Sequence, residues 1–349
     1  MKTFIALALL ALLPLPTTWA QAPGVPIESN APLLKNVPLL EKAKALREGG
    51  KLPLNIAKVK EQLAAPVPVE LKLPEPAKTA LTGREIAQRA RAAYLRIGWY
   101  YLCPHCDNWH VNLAGGYAIA RDAAVTCHHC VKPGDDMREG YLIAVDSHGE
   151  VLPVVSISAK SETLDAAILH LQGGDYQLLA LDENVAPGDA AYCFSEPMGQ
   201  HGYFSQGIVN RFYWKDEPEA NPAQPADAWK HLRVNVSTDW APGSSGSAVL
   251  DQCGNVIGHV STISPMGPRP QPMVRPNPAP ATIQSKDGAK SADAAKTPMP
   301  PRERSESGTF ITLHEAVPAR GVRALATARP AAPVVAPASE KSSASVGGK

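Results

Sequence analysis

Prolines and aromatic rings are segregated along this chain, and that segregation limits where a core can form. Residues 81–263 hold 9 of the 34 prolines but 17 of the 20 aromatic side chains, and the two flanks hold the other 25 prolines. Aromatic rings supply much of a core's buried area, whereas proline interrupts helix interiors and central strands. The folded body is therefore expected over 81–263, joined by whatever returns to it near Phe310. With 34 Lys and Arg against 33 Asp and Glu, the formal charge is +1. That leaves no sustained basic field, which argues against a nucleic-acid partner.

The chain opens Met1-Lys2-Thr3 and continues with an apolar run from Phe4 to Leu13, ending near Thr18-Trp19-Ala20. One positive charge, a short apolar stretch and a small-residue site read as a secretory signal peptide over 1–20. A membrane span needs about 20 apolar residues, and Pro14 and Pro16 cut this run short. The expected destination is secreted or periplasmic, with no stable membrane insertion after signal cleavage. Residues 21–80 read as a Pro-rich leader or pro-segment with short helical patches such as Leu39 to Leu46.

The body has its own punctuation. Thr82-Gly83-Arg84-Glu85 is a capping-box pattern, and helical period continues to Leu95. Beyond it the period becomes two. Strands are expected at 116–120, 141–145, 151–155, 166–171, 191–194, 207–210 and 256–260. Many short strands with almost no helix between them predict an all-β sandwich or barrel. Ten prolines and no apolar cluster make 264–307 a flexible loop. A strand at 309–314 and a helix at 318–326 follow, then a disordered tail at 328–349.

Three segments supply a base, an acid and a hydroxyl. They are Val125-Thr126-Cys127-His128-His129-Cys130, Leu164-Asp165-Ala166-Ala167-Ile168-Leu169 and Pro242-Gly243-Ser244-Ser245-Gly246-Ser247-Ala248. Nucleophilic amide hydrolysis needs a serine whose proton an imidazole accepts and a carboxylate that fixes the imidazole tautomer. It also needs backbone N–H groups aimed at the developing oxyanion. The glycines around Ser245 suit a tight turn that leaves the N–H groups of Gly243 and Ser245 free.

These three motifs, in this order, resemble trypsin-fold serine proteases of the bacterial secreted branch, the HtrA-type and glutamyl-endopeptidase-like enzymes. The resemblance implies two six-stranded antiparallel barrels with the active site between them, inside a domain at 81–327. Barrel one would span about 97–185, and barrel two about 186–263 plus 309–317. It implies His129 as general base, Asp165 as its orienting acid and Ser245 as nucleophile, with the amides of Gly243 and Ser245 as oxyanion hole. The substrate would be a peptide or protein, and no cofactor would be required. Gly258-His259-Val260-Ser261 is similar to the family strand that borders substrate. By that likeness Ser261 hydrogen-bonds Asp165, and Val260, Ser261 and Thr262 pair with substrate backbone.

The departures also count. Ser244 stands where pancreatic-type enzymes carry the Asp that pairs with a new N-terminus, so that activation route is not expected. No PDZ-like domain follows the body, so the assembly of complete HtrA proteins is not implied. Asp239, six residues before Ser245, matches either the acid that recognises Lys or Arg or the Thr-Asp of relatives without that specificity. The alternative function is a catalytically inactive peptide-binding module on the same fold.

The six cysteines, Cys103, Cys106, Cys127, Cys130, Cys193 and Cys253, leave alternatives open. An even number in an exported chain favours disulfides. Cys103-x2-Cys106 and Cys127-x2-Cys130 also match zinc-ribbon spacing, so a structural Zn on those four thiolates is the alternative. The family's habit of bridging the Cys after the base to one upstream implies cross-pairing of the two motifs. The same likeness implies bonded Cys193 and Cys253. Cys103-Pro104-His105-Cys106 matches a redox dithiol string as well, without the surrounding βαβ context. Nothing in the sequence sets the oligomeric state.

Overall fold

The computed structural model describes residues 32–215, 228–266 and 311–328. The signal peptide expected at 1–20 lies outside the described residues, as do the expected loop from 267 onward and the tail from 329.

Thr82 caps helix α3 (Gly83–Ala93; α1 and α2 precede it and are given below) reciprocally. Its Oγ1 accepts the Glu85 amide at 3.3 Å, and its own amide donates to Glu85 Oε2 at 2.7 Å. The helix stops two residues short of the expected Leu95. Tyr94 and Leu95 instead begin strand β1 (Tyr94–Leu102), whose aromatic and β-branched residues suit a pleated, buried surface.

β1 is followed by β2 (Trp109–Ala120), β3 (Ala123–Thr126), helix α4 (His128–Val131), β4 (Glu139–Val145), β5 (Val151–Ser161) and β6 (Ala166–Leu171). The six strands close antiparallel in the order β1-β2-β3-β6-β5-β4. The second barrel comprises β7 (Ala190–Ser195), β8 (Tyr203–Trp214), β9 (Leu232–Val236), β10 (Ala248–Leu250), β11 (Val256–Met266) and β12 (Ile311–Pro318). It closes as β10-β11-β12-β9-β8-β7, and α5 (Ala319–Thr327) ends the described chain. Closure removes the sheet edges that would otherwise invite aggregation. This is the trypsin-like double-barrel architecture.

Each barrel has its own core. Leu95, Ile97, Trp99, Leu142 and Ile157 fill the first, and Val209, Val234, Val249 and Ile257 the second. Burying each such side chain contributes about 1.5–3 kcal/mol. A third cluster joins Tyr117 and Ile168 of barrel one to Phe194 and Leu250 of barrel two, with Ile86 of α3 and Val322 of α5 packed into it. α3 and α5 therefore pack into the junction of the two barrels, and the site lies along it.

Residues 32–80, expected as a leader or pro-segment with short helical patches, pack against the barrels. Helices α1 (Pro32–Glu48) and α2 (Ile56–Ala64) precede α3, and both pack on barrel one. Leu39 and Ala43 are buried with Tyr100 and Ile143, and Leu54 and Val59 with Trp99 and Leu142. The proline-dotted stretch that follows bonds to both barrels. The Val67 amide donates to the Ile157 carbonyl at 2.9 Å, and Ala77 exchanges two hydrogen bonds with the Asn255 side chain. High proline content signalled a lack of regular structure there, but not a lack of packing. Among the described residues no helix is long and apolar enough to cross a membrane.

Candidate active site

β3 ends at Thr126, whose Oγ1 donates to the Gly115 carbonyl at 2.7 Å, and the chain turns into α4 with Cys127 as the preceding residue. That turn buries His128 and presents His129 to the cleft. Asp165 occupies the β5–β6 turn at φ 62°, a left-handed conformation that Asp tolerates better than most residues. Arg233 of β9, itself buried, donates to the Thr163 carbonyl at 2.6 Å and ties this turn to barrel two.

His129 Nδ1 lies 3.0 Å from both Asp165 oxygens, and the His129 amide donates to Asp165 Oδ1 at 3.1 Å. Ser261 Oγ donates to Oδ2 at 2.7 Å. Burial alone would raise the Asp165 carboxyl, but the hydrogen bonds from His129 and Ser261 hold it well below the usual carboxylate range. His129 is pushed up to about 10, first by Asp165 and then by the Cys130 sulfur beside it. His259, fully buried and lowered to about 4 by that burial, is neutral, and its Nε2 donates to the Asp165 carbonyl at 3.0 Å. The sequence reading passed over His259 because only its neighbour Ser261 matched a known pattern.

The Ser245 loop is shaped by backbone constraints. Gly246, at φ 83°, packs so closely that a Cβ would come within 2.3 Å of the Gly115 carbonyl oxygen. Only glycine satisfies both the conformation and the approach. The amides of Ser244, Gly246 and Ser247 donate to Ala241, Val260 and Ser244 respectively. Among the described residues the amides of Gly243 and Ser245 have no acceptor. Both residues line a cavity of about 280 Å³ together with His129, Trp99 and Leu113. No hydrogen bond joins Ser245 Oγ to His129 among the described residues. Such bonds often tighten only once substrate is bound.

The four expected substrate contacts change. Both backbone groups of Val260 are committed: its amide donates to the Ser247 carbonyl at 2.9 Å, and its carbonyl accepts from Gly246 at 2.8 Å. Val260 therefore holds the Ser245 loop and is not free to pair with a peptide. Ser261 is buried against Asp165, and Thr262 is exposed with its carbonyl taken by Trp240 Nε1 at 3.2 Å. Asp239 is exposed, with Tyr203 Oη 3.4 Å from its Oδ2, and is not the desolvated carboxylate that a pocket for Lys or Arg needs. Its neighbour Trp240 is buried edge-on to His314 at 4.9 Å.

The cysteine expectations need the largest correction, because all six are free thiols. Cross-pairing of the two Cys-x2-Cys motifs, or one zinc on their four sulfurs, is excluded by register. Cys127 follows Thr126, which bonds Gly115, and Gly115 pairs with Arg96 on β1. Cys103 lies seven residues further along that strand, roughly 20 Å away at strand rise, far beyond disulfide reach. Cys193 points into the core of barrel two, whereas Cys253 sits in the β10–β11 turn. Two smaller groups form instead: Cys103, Cys106 and His110, and Cys127, His129 and Cys130. His110 was overlooked, although Cys-x2-Cys-x3-His is legible in the sequence.

Two closed barrels thus bring a histidine–carboxylate pair and a glycine-flanked serine to their junction. The family model described as the trypsin-like peptidase domain matches residues 114–258, the family that the motifs resemble. Among solved structures, the chain is similar to the serine endoprotease from Yersinia pestis, at 14% identity and TM-score 0.39 over 53% of this chain and 58% of that one. It is also similar to the HtrA-type protease AlgW with decapeptide, at 12% identity and TM-score 0.46 over 70% and 66%. The chain thus spans less than two thirds of either protein. No curated protein matches it.

Proposed function

We propose that the chain is an exported serine endopeptidase. His129 accepts the Ser245 proton as the hydroxyl attacks the scissile carbonyl, and Asp165 holds the ring with Nδ1–H toward itself. The oxyanion forms against the amides of Gly243 and Ser245, the imidazolium protonates the leaving amine, and water releases the acyl group. Substrate backbone runs along the edge of β11 beyond Val260. The observation that carries this reading is the pair of acceptor-free amides beside Ser245, in the cavity that His129 also lines. Losing one such donor costs roughly 2.7–4 kcal/mol of barrier.

Fluorophosphonate labelling of the purified protein tests it, beside Ser245→Ala and His129→Ala. Stoichiometric labelling that disappears in both variants is expected. No labelling of the folded protein, with peptide binding retained, would instead assign it as an inactive binding module.

A further inference from the structure

We infer that Cys103, Cys106 and His110 form a zinc site at the tip of the β1–β2 hairpin, separate from the proposed catalytic groups. The tip is built as a metal-binding knuckle. Register puts Leu102 opposite Trp109, and the turn between them is closed by the Cys103 amide donating to the Asn108 carbonyl at 3.0 Å. Asp107 takes a left-handed φ of 55°, which folds Cys106 back toward Cys103. The His105 amide points at Cys103 Sγ at 3.4 Å, an N–H···S contact that stabilises a thiolate. His110, four residues after Cys106 and already on β2, brings Nε2 to 3.0 Å from Cys106 Sγ.

The three donor atoms all lie within 4.8 Å of one another. Zn–S bonds of about 2.3 Å and Zn–N bonds of about 2.0 Å in a tetrahedron place donors about 3.5–3.8 Å apart. The cluster therefore needs movements on the order of 1 Å, on an exposed tip free to make them. Two thiolates and an imidazole suit Zn²⁺ better than Mg²⁺ or Ca²⁺, which prefer oxygen. The fourth position faces solvent.

The site would do more than pin a loop. Arg138 pairs with Asp107 at 2.6 Å, and its amide donates to the Leu102 carbonyl at 3.1 Å. Arg138 follows Gly134, Asp136 and Met137, which line the cavity shared by His129 and Ser245. A metal on the tip thereby braces one wall of that cavity.

The test is anaerobic titration of the reduced, chelator-treated full chain with Co²⁺, read as thiolate-to-cobalt charge transfer and tetrahedral ligand-field absorption. One equivalent should saturate both signals, and excess Zn²⁺ should bleach them. Cys106→Ser should remove the charge-transfer band. His110→Ala should weaken binding by more than the 10–100-fold typical of outer-shell changes, while Cys130→Ser should leave the spectrum intact. Bands that survive Cys106→Ser and vanish in Cys130→Ser would move the metal to the other thiol group and overturn the assignment. So would the absence of bands, or a Cys103–Cys106 disulfide in the freshly purified protein. None of these readouts depends on peptidase activity, so failure here is distinguishable from failure of the catalytic reading.

Discussion

Cys103-Pro104-His105-Cys106 sits at a hairpin tip where Cys106 is exposed, whereas Cys127-His128-His129-Cys130 runs from the buried end of β3 into α4. Spacing and residue types are nearly the same in the two motifs, but their surroundings are not. Cys127 is fully buried, donates to the Val260 carbonyl at 3.0 Å, and is pushed up by desolvation. Cys130 is drawn down to about 6 by the Cys127 thiol and then by His129, although burial opposes the shift. Its sulfur lies beside the proposed general base. Cys106, at the exposed tip, meets His110 instead. Spacing identifies which atoms can meet, and the fold decides whether they serve a metal or share a proton with the proposed catalytic histidine.

The largest expected effect follows from Cys130's place in the cavity wall. An N-ethylmaleimide adduct on Cys130 should abolish turnover and fluorophosphonate labelling, with the loss tracking Cys130 occupancy by mass spectrometry. Adducts on Cys106 should leave both intact. Equal loss from either adduct would break the comparison, because it would mean that the hairpin tip reaches the reacting groups.

Next in size is Asp165→Asn. It removes the carboxylate that fixes the His129 ring, so kcat should fall by roughly 10⁴-fold with KM little changed. Cobalt binding at Cys103 and Cys106 should not change. A loss below tenfold would mean that His259, Ser261 and the buried turn orient His129 without the charge.

How much of this was legible beforehand depended on the range of the interactions. The order of His129, Asp165 and Ser245 was readable because each carries a local signature, such as the Gly243 and Gly246 turn. The barrels were readable from period-two strands, but β1, β3, β9 and β10 were not. β3 is alanine-rich, β10 is three residues long, and β9 alternates around Arg233 and Asn235, buried polar residues whose partners, Thr163 across the barrels and His314 on β12, lie far along the chain. The packing of α1 on Tyr100 and the roughly 20 Å between the Cys motifs were equally out of reach, since both depend on strand register. Val260 was misread for a related reason. A strand edge next to a substrate cleft can be satisfied by the loop beside it, and no pattern in the strand itself records that.

A subtler effect separates the motifs by pH. A general base must be neutral to accept a proton, so activity should rise as pH passes the His129 value, which Asp165 and the Cys130 sulfur together raise to about 10. Cys130→Ser removes the second contribution and should move the rising limb of kcat/KM to lower pH; Cys106→Ser should leave it in place. Stability carries the same sign. Because His129 is raised on folding, its contribution is complete below its unfolded value of about 6.5 and is lost as pH climbs through about 10. Asp165 is depressed, so its contribution holds above about 3.9 and is lost only as pH falls further. Cys130, drawn down to about 6, has the opposite sign and offsets His129 up to the ordinary thiol value of about 8.5, so the unfolding midpoint should decline only above that, whereas in Cys130→Ser the decline should begin nearer neutral pH.

The smallest effect concerns what holds the exposed hairpin in place. Arg47 of α1 lies 4.1 Å over the Trp109 ring, and Trp109 stacks on Tyr100 at 4.4 Å, so α1 braces the strands that lead to the tip. Arg47→Ala should cost about 0.5–1 kcal/mol, the usual size of a partly exposed cation–π contact, read as a lower urea midpoint at unchanged slope. It should also speed alkylation of Cys106 in the metal-free protein, because a looser hairpin opens more often. Alkylation of Cys130 and labelling of Ser245 should not change, since α1 packs on β2 and β5. If Cys130 reactivity rises in step with that of Cys106, the hairpin tip and the β3–α4 turn open as one cooperative unit. The difference between the motifs would then be one of burial alone, not of local stability.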